Sequence, residues 1–385
     1  MDRRRLLQLM PAGLLSTSLP AKSATPFPET LPRIRFIADQ IFRTTVCLRP
    51  FRAEGPRNEA ENRGRKRIIH NYGHGGSGWS LSWGSADHAV RLALEANQTS
   101  VAVIGAGAIG LTTALTAQRA GLNVTIYAKD RFPFVRSARA TGTWSPDSRI
   151  ALTDRVAPDF ADRWEDMARK THSMHQSYLG LADNPVEWTD FYYLRPHPSP
   201  SSEPTPAAEQ PQNTHYIPNF VRLESRLKDI SPRFQPVPDD QHPFNTPQAL
   251  RRPNLTFNIA ALSHQFSREF LIAGGRFVPM TFNKPADINR LRERLIINCT
   301  GYGARTLWQD ESIIPVRGQI TWLPPQADTH YGFYYKGISV MARRDGIVIQ
   351  PVGADEGFGW NDDNEQPDMD AAYAAITTLA DAYKA

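Results

Sequence analysis

Cysteine is nearly missing from this 385-residue chain, where Cys47 and Cys299 are the whole supply. Two isolated cysteines exclude a disulfide framework and a C-x-x-C metal or redox pair. Each stands in an apolar, strand-like stretch, which predicts buried thiols over a single bridge. Metal-ligand spacing is also scarce. His70 and His74 stand four apart, but in a glycine-rich loop where no helix aligns them. His172 and His175 stand three apart on a predicted helix and read as surface residues. No metal site is expected. A large charge of one sign is lacking too, with 44 basic residues against 39 acidic ones. The dense run "RGRKR" at 63–67 has no interleaved aromatics and reads as a solvated loop, so nucleic-acid binding is not expected.

The first 24 residues, "MDRRRLLQLMPAGLLSTSLPAKSA", differ from the rest. A basic start, a short apolar stretch and a small-residue end read as an export signal. Arg3–Arg4 or Arg4–Arg5 followed by Leu-Leu suggests the twin-arginine route and a periplasmic destination, with the cytoplasm as the alternative. The apolar stretch is too short, and too interrupted by proline, to span a bilayer.

Two polar stretches read as exposed loops: the Pro/Ser/Glu-rich residues 195–214, and 353–369, which precede an alanine-rich helix at 370–384. No internal repeat is present. Between the loops, strand-like and helix-like segments alternate. "SVAVIG" (100–105), "GLTTALTAQRAG" (110–121) and "NVTIYA" (123–128) form a β–turn–α–β unit. A helix at 261–275 and strands at 276–280 and 294–301 extend it. Segments 186–194 and 319–352 alternate aromatic and β-branched residues, as an antiparallel sheet does.

Glycine carries the chemistry. Gly105, Gly107 and Gly110 fit G-x-G-x-x-G between a strand and a helix. The first makes the turn, the second lets backbone approach a diphosphate, and the third lets helix pack on strand. The diphosphate then lies at a helix N-terminus. After the next strand, where an acidic residue would hold a ribose, stands Lys129, with Asp130 one place late. Asp130 could serve, Lys129 could reach a phosphate, or the two could form a solvated pair. A second glycine-rich segment, "HNYGHGGSGWSLSWG" (70–84), precedes the fingerprint. Its backbone is free to lie against a flat ligand, and a following helix (84–96) would aim its N-terminus there. Just upstream, Arg49 in "CLRPFR" suits bidentate carboxylate binding or a structural ion pair.

Together these motifs resemble the D-amino-acid oxidase family of FAD enzymes. "VAVIGAGAIGLTTAL" looks like that family's first strand and turn, and "ATGTWSP" (140–146) like the stretch after its second strand. "INCTG" (297–301) is similar to its late flavin-domain strand. "VRGQI" (316–320) and "RRDGIVI" (343–349) resemble its substrate-sheet strands, "LRPFR" its substrate arginine, and "HNYGHGG" its C-terminal signature. The order differs, since the arginine and signature here come first, as in a circular permutation.

The resemblance implies an α/β fold in which a Rossmann-type FAD-binding domain (40–145 and 245–312) interleaves with an antiparallel substrate-binding domain (146–244 and 313–385). It implies cofactor contacts at Gly75, Gly76, Ser77, Gly78, Trp79 and Ser80, and at Gly105, Gly107, Ala108, Ile109 and Gly110. Further contacts fall on Lys129, Asp130, Thr141, Gly142, Val278, Thr300 and Gly301. Arg49 would pair the substrate carboxylate with help from Tyr335, and the Gly76 carbonyl would accept the amine. The family's second tyrosine falls on Ser339, and Ser77 stands where an aromatic is common. The implied reaction turns a D-amino acid into a 2-oxo acid and ammonia by hydride transfer from Cα to flavin N5, with molecular oxygen becoming hydrogen peroxide. Oxidation of glycine or secondary amines, a dehydrogenase using another acceptor, and a non-catalytic flavin-binding remnant stay open.

Overall fold

The apolar segment Ser100–Ile104 is buried on both faces, as a central strand of a parallel sheet must be, and the rest of the chain is arranged around it. The computed structural model describes residues 31–195, 217–353 and 355–384. The expected export signal, and nearly all of the 195–214 loop, lie outside these residues. The strands are β1 (Arg43–Arg52), β2 (Arg57–Arg63), β3 (Lys66–Tyr72), β4 (Ser100–Ile104), β5 (Asn123–Ala128), β6 (Val186–Arg195) and β7 (Gln235–Val237). They continue with β8 (Gln248–Phe257), β9 (Arg276–Pro279), β10 (Leu295–Asn298), β11 (Ile313–Leu323), β12 (Tyr331–Tyr335), β13 (Ile338–Arg343) and β14 (Gly346–Pro351). The helices are α1 (Gly78–Leu94), α2 (Ala108–Arg119), α3 (Phe160–Gln176), α4 (Ile259–Ile272), α5 (Ala304–Leu307) and α6 (Met369–Ala380). None of the described helices is long and apolar enough to cross a membrane.

The fold is mixed α/β with two sheets. A six-stranded sheet runs β2-β3-β10-β4-β5-β9, parallel except for the edge strand β2. Helices α1, α2 and α4 cover one face, through a core that joins Leu81, Val90, Leu111, Leu115, Leu262 and Phe266. The larger sheet runs β1-β11-β14-β13-β12-β6-β8-β7 and is antiparallel except where β12 meets β6. Successive side chains alternate across it. Tyr331, Phe333, Tyr335, Ile338 and Val340 pack on one face against Ile376 and Leu379 of α6. Phe191, Ile320, Met341 and Val348 lie on the other.

Two segments that the sequence groups with the cofactor-binding part belong to the large sheet. Strand β1 pairs with β11 from Arg43↔Trp322 to Arg52↔Ile313, and β8 pairs with β6 from Gln248 to Phe257. Boundaries drawn from motifs cannot see which sheet edge satisfies a strand's backbone groups, and here the long antiparallel partners decide it. Helix α1 also begins at Gly78, six positions before the expected start. Its glycine and serine content reads as loop, but Gly84 is where α3 crosses. A Cβ there would lie 2.2 Å from the Met167 Cα, and the Gly84 N–H donates to Thr171 Oγ1 at 2.9 Å. That close crossing also corrects the reading of His172 and His175 as surface residues. Both are buried, and the His175 ring lies 2.9 Å from the Trp79 carbonyl through Nε2.

Candidate active site

Between the sheets runs a cavity of about 640 Å³. At one end the turn Gly105–Gly107 leads into α2. Gly105 has φ +109°, and a Cβ there would lie 2.5 Å from the carbonyl oxygen of Cys299, the residue after β10. Gly110 packs the helix on the turn, since a Cβ there would lie 2.1 Å from the Gly105 carbonyl oxygen. The Ala108 N–H donates to Ser137 Oγ at 3.0 Å. No described group accepts from the N–H groups of Ile109 and Gly110, so the helix N-terminus faces the cavity with donors to spare. Lys129 and Asp130 line the same end and are 3.7 Å apart.

The second glycine-rich segment supplies the middle of the cavity. Strand β3 leads into the tight turn Gly73–Gly76. Gly75 (φ +53°) lies so close to Arg149 that a Cβ would meet its carbonyl oxygen at 1.8 Å. Helix α1 follows with no side-chain cap from Ser77. Its first N–H groups, at Gly78, Trp79 and Ser80, have no described acceptor, and all three residues line the cavity. A Cβ on Gly78 or Gly301 would meet nothing within 4 Å, so both leave their space to the cavity. Two uncapped helix N-termini and bare glycine backbone make a cradle for an extended dianion and a flat ring. The residues present therefore fit a flavin dinucleotide.

At the third wall stands Arg49 of β1. Its guanidinium lies over Gly318, where a Cβ would fall 2.2 Å from one of its nitrogens. It donates to the Arg317 carbonyl at 3.1 Å, and among the described residues it pairs with no carboxylate. Desolvation lowers its pKa from the ordinary arginine value, opposed only by Cys47. The structural ion pair open in the sequence is therefore absent among the described residues. Arg49 is half-buried, and a partly desolvated cation without a counter-charge favours an anion beside it. Across the turn, no described donor reaches the Gly76 carbonyl.

Most of the residues expected at the site are brought together here. Gly75, Gly76, Gly78, Trp79, Ser80, Gly105, Gly107, Ala108, Ile109, Lys129, Asp130, Thr141, Gly142, Thr300, Gly301 and Arg49 all line the cavity. Ser77 and Gly110 stand behind its wall. Val278 does not reach it, and Met280 and Thr281 line it instead. Tyr335 is the main correction. It is buried in the apolar cluster under α6, on the face of the sheet turned away from Arg49. Its neighbour Tyr334 stands on the other face, opposite Ser339, because a one-residue step in a strand reverses the side chain. Sequence reading also missed Arg136, Arg139, Glu365 and Gln350, which all line the cavity. Glu365 pairs with Arg136 at 2.5 Å and lies 3.8 Å from Arg139. The run "RSAR" (136–139) beside the fingerprint turn was the available signal.

A family model described as FAD dependent oxidoreductase (DAO) matches residues 100–383, which include the fingerprint turn but not Arg49 or the Gly73–Ser80 wall. The chain belongs to this family. Two curated relatives are similar in sequence. The D-amino-acid oxidase of Dictyostelium discoideum is 40% identical over 231 residues, 59% of this chain and 57% of that protein, so the chain spans little more than half of that relative's length. The D-amino acid oxidase of Dugesia ryukyuensis is 23% identical over 284 residues, 68% of this chain and 71% of that protein. Among solved structures, glycine oxidase from Geobacillus kaustophilus aligns at TM-score 0.49 with 10% identity, covering 74% of this chain and 79% of that one.

The histidines around the cradle of this FAD-family oxidoreductase are tied to the protein. His74 Nε2 is 2.6 Å from Ser85 Oγ, and burial lowers its pKa to about 3. Burial likewise lowers His175 to about 4. His70 lies between Glu61 and Asn298. Both depressed values lie below the ordinary 6.5, so the unfolded chain binds protons that the folded one refuses. Stability is full above pH 6.5 and is lost as pH falls toward 4. Between pH 7.5 and 5, His74 and His175 should each cost about 2 kcal/mol. Urea midpoints at the two pH values measure this, and His74→Gln should reduce the drop by about 2 kcal/mol, its own share. An unchanged midpoint at pH 5 would refute the assignment.

Proposed function

We propose that the chain binds FAD in this cavity and oxidises D-amino acids to 2-oxo acids and ammonia, with oxygen as the electron acceptor. The observation that carries this reading is Arg49, an uncompensated guanidinium in the same enclosed cavity as the two uncapped helix N-termini. When bound, FAD supplies the two-electron acceptor for the Cα hydride and hands the electrons to oxygen, forming hydrogen peroxide.

The chain's own residues do the rest by positioning. Arg49 holds the carboxylate in bidentate fashion. The Gly76 carbonyl accepts an N–H of the neutral amine, which keeps the nitrogen lone pair available as the Cα–H bond breaks. The α1 N-terminus stabilises negative charge opposite it. The product imino acid is hydrolysed by water, which adds at the imino carbon and expels ammonia. No lining side chain is asked to take a proton from Cα. With Tyr335 turned to the far face, Arg49 carries the carboxylate without it.

We read the chain order as a circular permutation of the family pattern. The family match begins at residue 100, and the block with Arg49 and the glycine-rich turn precedes it. Only Glu95–Thr99 separates α1 from β4, a linker short enough for such a joint.

Anaerobic mixing of the FAD-loaded protein with D-alanine, D-phenylalanine, their L-enantiomers, glycine and sarcosine tests the activity. D-amino acids should bleach the flavin fastest, and air should then return its colour with one peroxide per turnover. No bleaching by any of them, or bleaching by L-enantiomers alone, would overturn the reading. Reoxidation by quinone but not by air would replace the oxidase with a dehydrogenase.

A further inference from the structure

A second cavity, of about 280 Å³, lies against the first. The two share Thr143 and Ser145 as walls. They also meet along one row of side chains crossing the large sheet. Gln350 pairs with Ser339, Ser339 with Tyr334, and Tyr334 with Tyr193. Gln350 lines the first cavity and the other three line the second. Adjacent strands are about 5 Å apart, so this row spans roughly 15 Å from the Arg49 side outward. Thr143, Ser145 and Ser339, all small, stand at the junction. The far walls are rings: Trp144, Trp188, Phe191, Tyr193 and Tyr334. The chamber's one arginine, Arg252, is already paired with Glu224, and Asp147 accepts the Leu223 N–H at 3.3 Å. An anionic side chain entering here would lose water, find Arg252 already engaged and meet Glu224 and Asp147 in the wall.

We infer that this ring-lined chamber receives the side chain of the substrate and selects amino acids with a phenyl or indole group. The inference rests on the amino-acid oxidation proposed above. A substrate held by Arg49 and Gly76 would project its side chain past Gln350, over Ser339 and between the rings. Flat apolar groups gain most from such a lining. Ser339 is the specificity-determining position, because a large residue there would close the passage that a serine leaves open.

The test is anaerobic reduction of the holoenzyme by D-tryptophan, D-phenylalanine, D-alanine and D-aspartate. The inference expects kcat/KM for an aromatic substrate at least tenfold above that for D-alanine. It also expects Ser339→Tyr to move the tryptophan-to-alanine ratio at least tenfold toward alanine. Ile230→Trp fills the chamber from its far end and should move the ratio the same way, which covers a fold defect in the first variant. Equal or better use of D-alanine or D-aspartate, or a uniform loss across substrates in both variants, would overturn the chamber assignment. If no amino acid reduces the flavin, the oxidation reading fails, and the chamber is judged by ligand binding instead. Tenfold tighter binding of 3-phenylpropanoate than of propanoate, read from the flavin spectrum, upholds it, and equal binding overturns it.

Discussion

Replacing Arg49 with alanine should lower kcat/KM for every amino acid about a thousandfold, through KM and kcat together, while the protein stays yellow. Removing one partner of a buried, hydrogen-bonded charge pair costs about 4 kcal/mol, and here the orphaned partner is the substrate carboxylate. The same substitution should not weaken the fold. Arg49 is desolvated, bonded only to backbone carbonyls and without a carboxylate partner among the described residues. Its removal gives up two bonds to backbone carbonyls and relieves the cost of holding a half-buried charge that no carboxylate offsets. Thermal melting of the FAD-loaded variant should therefore be level with the parent or above it. Arg49→Lys keeps a charge but loses the fork, so it should recover only part of the activity. A variant that melts earlier and binds substrate normally would show that Arg49 is a structural strut.

The second large effect concerns the fingerprint turn. Gly105→Ala should yield protein that melts at lower temperature and retains little flavin. The position combines φ +109° with a Cβ site 2.5 Å from the Cys299 carbonyl oxygen, which is backbone and cannot swing aside. Backbone strain and overpacking together cost roughly 2–5 kcal/mol. Gly107→Ala is the informative contrast. Its backbone φ is ordinary, and its nearest obstacle is the Ser137 hydroxyl at 3.1 Å. It should melt near the parent temperature and yet bind FAD more weakly, because the added methyl stands where the diphosphate approaches. The flavin-to-protein absorbance ratio and the melting temperature of each variant separate the two roles. If Gly105→Ala kept both at parental values, the turn geometry described here would be wrong.

How much of this was legible beforehand depends on the range of the physics. The fingerprint turn and strands β4 and β5 follow from local pattern and lie where the sequence puts them, while α2 starts at Ala108, two positions before the expected 110. Arg49, read from "CLRPFR" as a carboxylate anchor or an ion-pair partner, lines the cavity and has no carboxylate partner among the described residues. Tyr335 was not legible. Choosing between Tyr334 and Tyr335 requires knowing which face of β12 meets α6, and two adjacent tyrosines satisfy either choice. The early start of α1 was hidden for a similar reason. Glycine and serine lower helix propensity, but here they admit α3 at Gly84, and tertiary contact outweighs local preference. The burial of His172 and His175 follows from the same crossing. The pairing of β1 with β11 joins residues more than 250 positions apart, beyond any local signal.

One feature of the small sheet bears on the order in which the protein can assemble. Strands β3 and β4 are close in sequence, joined by α1, yet they are not neighbours in the sheet. Strand β10 lies between them, parallel to both, and comes from Leu295–Asn298. As the chain leaves the ribosome, both cofactor-facing helix N-termini are made within the first third, but the strand that joins their two halves is made near residue 300. Until it arrives, β3 and β4 each present an open hydrogen-bonding edge, and the cradle has no floor at Thr300 and Gly301. Closing so distant a pairing is slow relative to local helix formation. On the proposed function, flavin capture would wait for the late part of synthesis, when β10 joins the two halves.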